Sequence, residues 1–359
     1  MSEIKQHWQK IELNEILSIS SKKFNPISNN ENKKCVELEH LSQETGKLLG
    51  YTNSSEQQSI KNSFEEGQIL FGKLRPYLKK FWKAEFEGVC SSEIWVMNGK
   101  KVKNDFLFYL VQTEKFNQIA NVSSGSKMPR ADWNYMSEIP FDIPPLKEQE
   151  KIAEILTTWD EAITKQTELL RAKELQKKAL MQKLLSGEVR FNGFNDVWQE
   201  IRLDKLVFFQ EGPGVRNTQY RKSGVKLLNV GNLNNNILNL SSTETYISEE
   251  EAYGVYKHFL VYEGDLLISC SGINSESFKN KIAFVKKEHL PLCMNTSTMR
   301  FKNLKNKLLL EYLYFFFQTL FFEKQVFGVL TGSAQFNFGP THIKWFKIKL
   351  PSLPEQQKI

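Results

Sequence analysis

An internal repeat constrains this chain more than any local signal does. Trp8-Gln9-Lys10-Ile11-Glu12-Leu13 returns as Trp198-Gln199-Glu200-Ile201-Arg202-Leu203, and Glu66-Gly67-Gln68-Ile69-Leu70 returns as Glu263-Gly264-Asp265-Leu266-Leu267. The aromatic run Phe106-Leu107-Phe108-Tyr109-Leu110-Val111-Gln112-Thr113 matches Tyr312-Leu313-Tyr314-Phe315-Phe316-Phe317-Gln318-Thr319, and Gly125-Ser126 matches Gly332-Ser333. Ile143-Pro144-Pro145-Leu146-Lys147-Glu148-Gln149-Glu150-Lys151-Ile152 comes back as Leu350-Pro351-Ser352-Leu353-Pro354-Glu355-Gln356-Gln357-Lys358-Ile359. The order is kept while the offset widens, so one ancestral unit has been duplicated, with insertions in the second copy. A chain of 359 residues also exceeds what one hydrophobic core usually organises, so two related domains are expected. The stretches between anchors do not repeat: residues 22–63 and 210–262, and residues 73–83 and 271–281, share little beyond polarity and turn content. Two faces that read different ligands, or drift after duplication, would both leave this pattern.

Local signals give a coarse architecture. After Pro144-Pro145, residues 147–186 run without Gly or Pro and stop at Gly187, which predicts one long helix. Ile152, Leu156, Trp159, Ile163, Leu170, Leu180 and Leu184 fall on a stripe at helical spacing, interrupted by Gln166, Lys173 and Lys177. Such a helix would reach roughly 55 to 60 Å, which suits a spacer between domains. A helix folded back on one domain's core would need a wider apolar face. Residues 105–120 and 311–327 read as aromatic-rich helices whose rings serve the core, and residues 68–71, 94–97, 265–269 and 282–286 read as short strands. The expected fold is α+β: a first mixed α/β domain with small sheets over residues 1–146, a spacer helix over 147–186, a homologous second domain over 187–349, and the start of a second, truncated spacer segment over 350–359.

Several chemistries are excluded by what the sequence lacks. Gly67-Gln68-Ile69-Leu70-Phe71-Gly72-Lys73 has the spacing of a phosphate-binding loop, but Leu74 stands where a magnesium-binding hydroxyl belongs and Arg75-Pro76 follows where a helix should begin. His7, His40, His258, His289 and His342 form no metal-binding pair, and Cys35, Cys90, Cys270 and Cys293 lie far apart without CxxC spacing. They read as reduced, largely buried thiols. No nucleophile elbow, dinucleotide fingerprint or base-holding tetrapeptide of amino-methyltransferases occurs, so catalysis is expected to come from a partner. The amino terminus carries no secretory signal and the greasiest stretch, residues 308–322, is broken by Glu311 and Gln318, so a cytoplasmic chain without a membrane span is expected. The formal charge is +7, and its excess lies in the two flanking segments because residues 148–186 are balanced. That suits a polyanion-binding face without establishing one.

The runs Glu66-Gly67-Gln68-Ile69-Leu70-Phe71-Gly72-Lys73-Leu74-Arg75-Pro76-Tyr77-Leu78-Lys79-Lys80 and Ile143-Pro144-Pro145-Leu146-Lys147-Glu148-Gln149-Glu150-Lys151-Ile152-Ala153 resemble the specificity subunit of type I restriction-modification systems. The resemblance covers essentially the whole chain, including Gln182-Lys183-Leu184-Leu185-Ser186-Gly187 at the end of the central helix. It implies two target-recognition domains, each reading one half of a bipartite double-stranded DNA site, with helices that set the spacing. It also implies methyltransferase subunits that bring S-adenosylmethionine, motor-nuclease subunits that bring ATP and magnesium, and no cofactor in this chain. Members usually finish with a second helix antiparallel to the first, whereas this sequence stops at Ile359. The helical stripe is therefore expected to be covered by the same helix of a second chain, by a methyltransferase subunit or by a separately encoded half-subunit. A bivalent protein-binding adaptor and, further off, a self-sufficient DNA methyltransferase are the competing readings.

Candidate DNA contacts follow from charge and loop position. Lys73, Arg75, Lys79, Lys80 and Lys83 place five cations and no acid in eleven residues, suited to phosphates or equally to a solvated hairpin. Ser126 and Lys127 in the first copy, and Ser333 and Gln335 in the second, fall at the repeated Gly-Ser, as DNA contacts or as turns and nothing more, and Arg130 is a further candidate in the first copy. Arg216, Arg221, Lys222, Lys279 and Lys281 occupy polar loops of the second copy, from which side chains can enter a groove.

Overall fold

The computed structural model describes residues 7–29, 31–122, 128–274, 278–304, 306–330 and 337–359. The chain divides into two compact units, residues 1–168 and 169–359. The division falls inside the helix Leu146–Ser186 rather than at its ends, so each unit includes part of that helix. Gly187 comes next in the left-handed conformation (φ +77°), the conformation that glycine adopts most easily after a helix.

In the first unit a four-stranded antiparallel sheet runs in the order Leu17–Ile19, Ile94–Gly99, Ile69–Gly72, Phe81–Lys83. Alternate residues face two cores. Ile69, Phe71, Trp95 and Met97 pack with the helices Asn104–Leu110 and Glu114–Ala120, while Leu70, Ile94 and Val96 pack on the other face with Phe64 and Trp82. Burial on both faces explains why these strands read as continuous apolar runs. A five-stranded sheet has the order Lys23–Phe24, Lys61–Phe64, Gly88–Cys90, Lys34–Val36, Thr52–Asn53, and the pair Gln9–Glu12 with Pro140–Ile143 clasps the two ends of the unit.

The second unit repeats the four-stranded sheet as Val207–Glu211, Thr298–Asn303, Leu266–Ser269, Ile282–Phe284, and the clasp as Gln199–Arg202 with Lys347–Leu350. The register repeats too, since Ile69 pairs with Met97 as Leu266 pairs with Phe301. That register sets Arg300 where the first unit has Val96. Both are buried, and Arg300 donates from Nη1 to Leu260 O (2.5 Å) and from Nη2 to His258 O (2.9 Å) and Gln210 (2.5 Å), with Asp265 at 3.4 Å, which leaves only its Nε without a hydrogen-bond partner among the described residues.

The structure corrects one expectation in both units. Each aromatic stretch is two helices, Asn104–Leu110 with Glu114–Ala120 and Leu310–Phe316 with Leu320–Phe327. The break is a threonine N-cap. Thr113 Oγ1 donates to Leu110 O (2.7 Å) and accepts from Phe116 N (3.3 Å), and Thr319 makes the same pair of bonds with Phe316 O (2.7 Å) and Phe322 N (3.1 Å). Phe106, Phe116, Tyr312, Phe316, Phe317 and Phe322 go into the cores as expected, whereas Phe321 and Phe327 stay exposed.

The repeated Glu-Gln pair proves to be a fastener. Gln149 Nε2 donates to Pro144 O (2.9 Å) and Lys101 O (3.3 Å) while its Oε1 accepts from Lys103 N (3.1 Å); Gln356 binds Pro351 O, Lys307 O and Leu309 N in the same way. The neighbouring carboxylates, Glu148 and Glu355, each accept from the indole of the repeated tryptophan, Trp8 or Trp198, at 3.0 Å. In the second unit Arg190 adds a fork of two 2.8 Å bonds to the buried Glu355. Among the described residues no helix is long and apolar enough to cross a membrane. All four cysteines are buried and free.

The Glu355 fork makes the second unit sensitive to acid. Hydrogen bonding from Arg190 holds its carboxyl below the ordinary glutamate value. The unfolded chain then takes up the proton first, so this contribution is complete above about pH 4.3 and fades as pH falls through the lower folded value. Glu355→Gln keeps the acceptor for Trp198 but cannot titrate. Its stability deficit against the natural chain, measured by urea unfolding, is expected to be largest near pH 6 and to shrink towards pH 3.

Candidate nucleic-acid interface

The basic run begins where the strand Ile69–Gly72 leaves the sheet. Lys73 N–H donates to Glu93 O (3.0 Å), Ala131 N–H donates to Lys73 O (2.9 Å), and Arg75 N–H donates to Pro129 O (2.8 Å), so residues 73–75 and 129–131 form a short antiparallel ladder. Leu74 and Arg130 face each other across it as an isolated bridge. The turn Pro76–Leu78 comes next, flanked by Arg75 (φ +52°) and Lys79 (φ +47°), both left-handed. A side chain in that conformation costs roughly 1–2 kcal/mol. Backbone bonds from Glu44 N to Lys79 O (3.0 Å) and from Gly72 N to Lys80 O (2.8 Å) hold the turn closed.

The five cations of the run meet different fates. Lys79 pairs with Glu44 (3.0 Å), Lys80 donates to Leu38 O (2.6 Å), and Lys83 pairs with Asp105. Acids distant in sequence thus supply partners that the run itself lacks. Lys73 is half-buried and Arg75 exposed, and neither has an ionic partner among the described residues. Arg130, exposed beside them in the backbone, lies against Glu93 with Nε at 3.0 Å from Oε2 and Nη2 at 3.3 Å from Oε1. Glu93 is a residue that the linear sequence gives no reason to single out.

The second unit keeps two of the three rungs and replaces the third by a side-chain bond. Cys270 N–H donates to Ser297 O (2.9 Å), Phe338 N–H donates to Cys270 O (3.0 Å), and Gly272 N–H reaches Asn337 Oδ1 (3.2 Å). Lys73, Arg75, Glu93 and Arg130 correspond in this way to Cys270, Gly272, Ser297 and Asn337. Gly272 even repeats the left-handed conformation, with φ +62° against +52° at Arg75. Of the second-copy candidates, Arg216 and Lys222 are exposed, while Arg221 spends Nη1 on Thr218 O and Tyr220 O at 3.0 Å. Lys279 pairs with Glu323 (2.6 Å) and Lys281 is half-buried. Residues 216–222 border the three-stranded sheet of Tyr246–Ile247, Val225–Leu227 and Leu292–Cys293, whereas Lys279 and Lys281 lead into Ile282–Phe284 of the four-stranded sheet. Ser126, Lys127, Ser333 and Gln335 lie outside the described residues. No group of three or more potential metal ligands occurs among the described residues.

The long helix is fastened to each unit and exposed between fastenings. Tyr109 Oη bonds Thr157 (3.0 Å) and Asp160 (2.9 Å), with burial pushing its phenol up to about 12, and Gln182 Oε1 accepts from Leu320 N (3.0 Å). Of its predicted stripe, Ile152 is half-buried against the first core and Leu184 is half-buried, but Leu156, Trp159, Ile163, Leu170 and Leu180 are exposed, Trp159 by 66%. Ile155, Leu169 and Leu175 add to that exposed apolar surface.

A duplicated α+β frame that keeps most of its backbone ladder and changes the side chains mounted on it defines a two-domain protein of repeated architecture. Residues 5–172 and 195–359 both match the type I restriction modification DNA specificity domain, and the chain belongs to that family. It is 32% identical to the EcoDI specificity subunit of Escherichia coli over 194 residues, 52% of this chain and 43% of that one. It is 25% identical to the MjaVIII specificity subunit of Methanocaldococcus jannaschii over 289 residues, 76% of this chain and 66% of that one. These matches thus span between about two fifths and two thirds of the relatives' lengths. The HsdS subunit from Thermoanaerobacter tengcongensis shares the fold, with a TM-score of 0.54 at 18% identity over 98% of this chain and 87% of that one. A chain from a type I R-M system solved for its complex assembly and conformational transition superposes with a TM-score of 0.65 at 17% identity, covering 98% of this chain and 88% of that one.

The left-handed site at Arg75 gives a direct test of strain. Arg75→Gly should raise the stability of the first unit by a few tenths to about 1 kcal/mol, strain relief exceeding the added freedom of the unfolded chain. Urea unfolding measures it, and a loss of stability would show that the side chain contributes to folding.

Proposed function

We infer that this chain is the DNA-recognition subunit of a type I restriction-modification complex, each unit reading one half of a split target. The observation that carries the reading is the shared ladder with unlike side chains: Lys73, Arg75 and Arg130 in the first unit against Cys270, Gly272 and Asn337 in the second. A protein that held two copies of one ligand would keep the side chains as well as the frame. Membership of the specificity-domain family supports the same reading. In this view the chain performs no chemistry. Methyltransferase subunits with S-adenosylmethionine and motor-nuclease subunits with ATP and magnesium supply it, and the exposed apolar stripe of the long helix is where protein partners, or the same helix of another copy, sit. The helix sets the spacing between half-sites, and the assembly works in the cytoplasm, where thiols stay reduced.

The deciding experiment is to sequence methylated genomic DNA from a host carrying the intact system. A split motif with a fixed gap is expected, and a continuous motif overturns the reading. The free cations should act on the backbone of the duplex. Each phosphate contact contributes about 0.9 to the magnitude of the log-log salt slope, so Lys73→Gln with Arg75→Gln should lower it by about 1.8 in the assembled methyltransferase. Lys79→Gln with Lys83→Gln, whose charges are spent on Glu44 and Asp105, should leave the slope unchanged.

A further inference from the structure

We propose that Arg130 reads a guanine in the half-site of the first unit and that Glu93 is the residue that positions it. This rests on DNA recognition by the chain and names the residue that performs part of it. Glu93 holds the guanidinium side-on, through Nε (3.0 Å) and Nη2 (3.3 Å). Two of its five N–H groups are used, and the end formed by Nη1 and the outer hydrogen of Nη2 stays open. That end carries the parallel pair of donors that fits guanine O6 and N7 in the major groove. Arg130 is half exposed, at 50%, so the open end is within reach of a ligand.

A phosphate contact does not account for this arrangement. The carboxylate of Glu93 offsets the charge that would draw Arg130 to a phosphate, yet leaves the direction of its free donors fixed. Lys73 and Arg75, which have no such counter-charge among the described residues, are the better phosphate ligands. A purely structural role also fails to account for it. The second unit has Ser297 and Asn337 at the corresponding positions and keeps the two flanking rungs, Cys270 N–H on Ser297 O and Phe338 N–H on Cys270 O, without the ion pair. Ordering is the remaining effect. The pair spans two segments pinned by Lys73 N–H on Glu93 O and Arg75 N–H on Pro129 O, so a long side chain is already oriented before DNA arrives.

The test compares the assembled methyltransferase carrying the natural chain, Arg130→Lys or Glu93→Gln, by methylome sequencing and by binding to duplexes with single substitutions in the motif. Arg130→Lys keeps the charge and loses the fork. One G·C position in one half-site should become degenerate, its preference falling roughly 10- to 100-fold, with the other half-site and the salt slope unchanged. Glu93→Gln should weaken discrimination at that same position. The proposal is overturned if Arg130→Lys leaves every position as selective as before, if both variants lower affinity equally for all sequences, or if the whole half-site is lost. A natural complex that shows no split motif instead removes the functional reading beneath it, so the two failures are told apart.

Discussion

Both units depend on a central sheet buried on two faces. Ile69 and Phe71 point into one core and Leu70 into another, and Leu266, Ile268 and Leu267 do the same in the second unit. A slip of one residue would exchange these sets between cores of different shape, so the register is held. Arg300 reinforces it in the second unit, because its acceptors at Leu260, His258 and Gln210 lie only on the face that Val96 occupies in the first. The end of the central strand is therefore at the same place in both units, and the loop beyond it starts from a fixed point.

The ladder at that strand end converts a rigid element into a platform for variation. Its bonds run between backbone groups, apart from the amide of Asn337, and so place little demand on side-chain identity. Lys73 and Cys270 can therefore occupy one position although the first is a cation and the second a thiol that burial keeps protonated. The fastening lies elsewhere, in the clasp strands and in the buried Gln149 and Gln356, each of which makes three bonds to backbone groups that a shorter or apolar side chain would leave unmade.

This division explains how much was legible in the sequence. Positions fixed by packing and fastening repeat, so the duplication, the central strands, the long helix and the Trp8 and Glu148 anchors with their counterparts could be read directly. The division of the aromatic stretches was also signalled, by a Gln-Thr pair in each copy at Gln112-Thr113 and Gln318-Thr319, but the apolar run on either side masks it. Ion pairs were not legible. Glu93, Glu44 and Asp105 are brought to their cations by the fold alone, and a run that looks uniformly basic along the chain separates into spent and unspent charges.

Gly272 and Arg75 show what the frame costs. Both occupy a left-handed position that the turn after the strand requires; the second unit fills it with the residue that suits it and the first with one that does not. Strain is kept at an exposed cation, next to a lysine with no ionic partner among the described residues and an arginine restrained by a carboxylate, and such strain is what the proposed DNA contact would draw on. Net charge is a poor guide to that contact. Much of the basic run is neutralised within its own unit, by Glu44 and Asp105 on Lys79 and Lys83 and by the Leu38 carbonyl on Lys80.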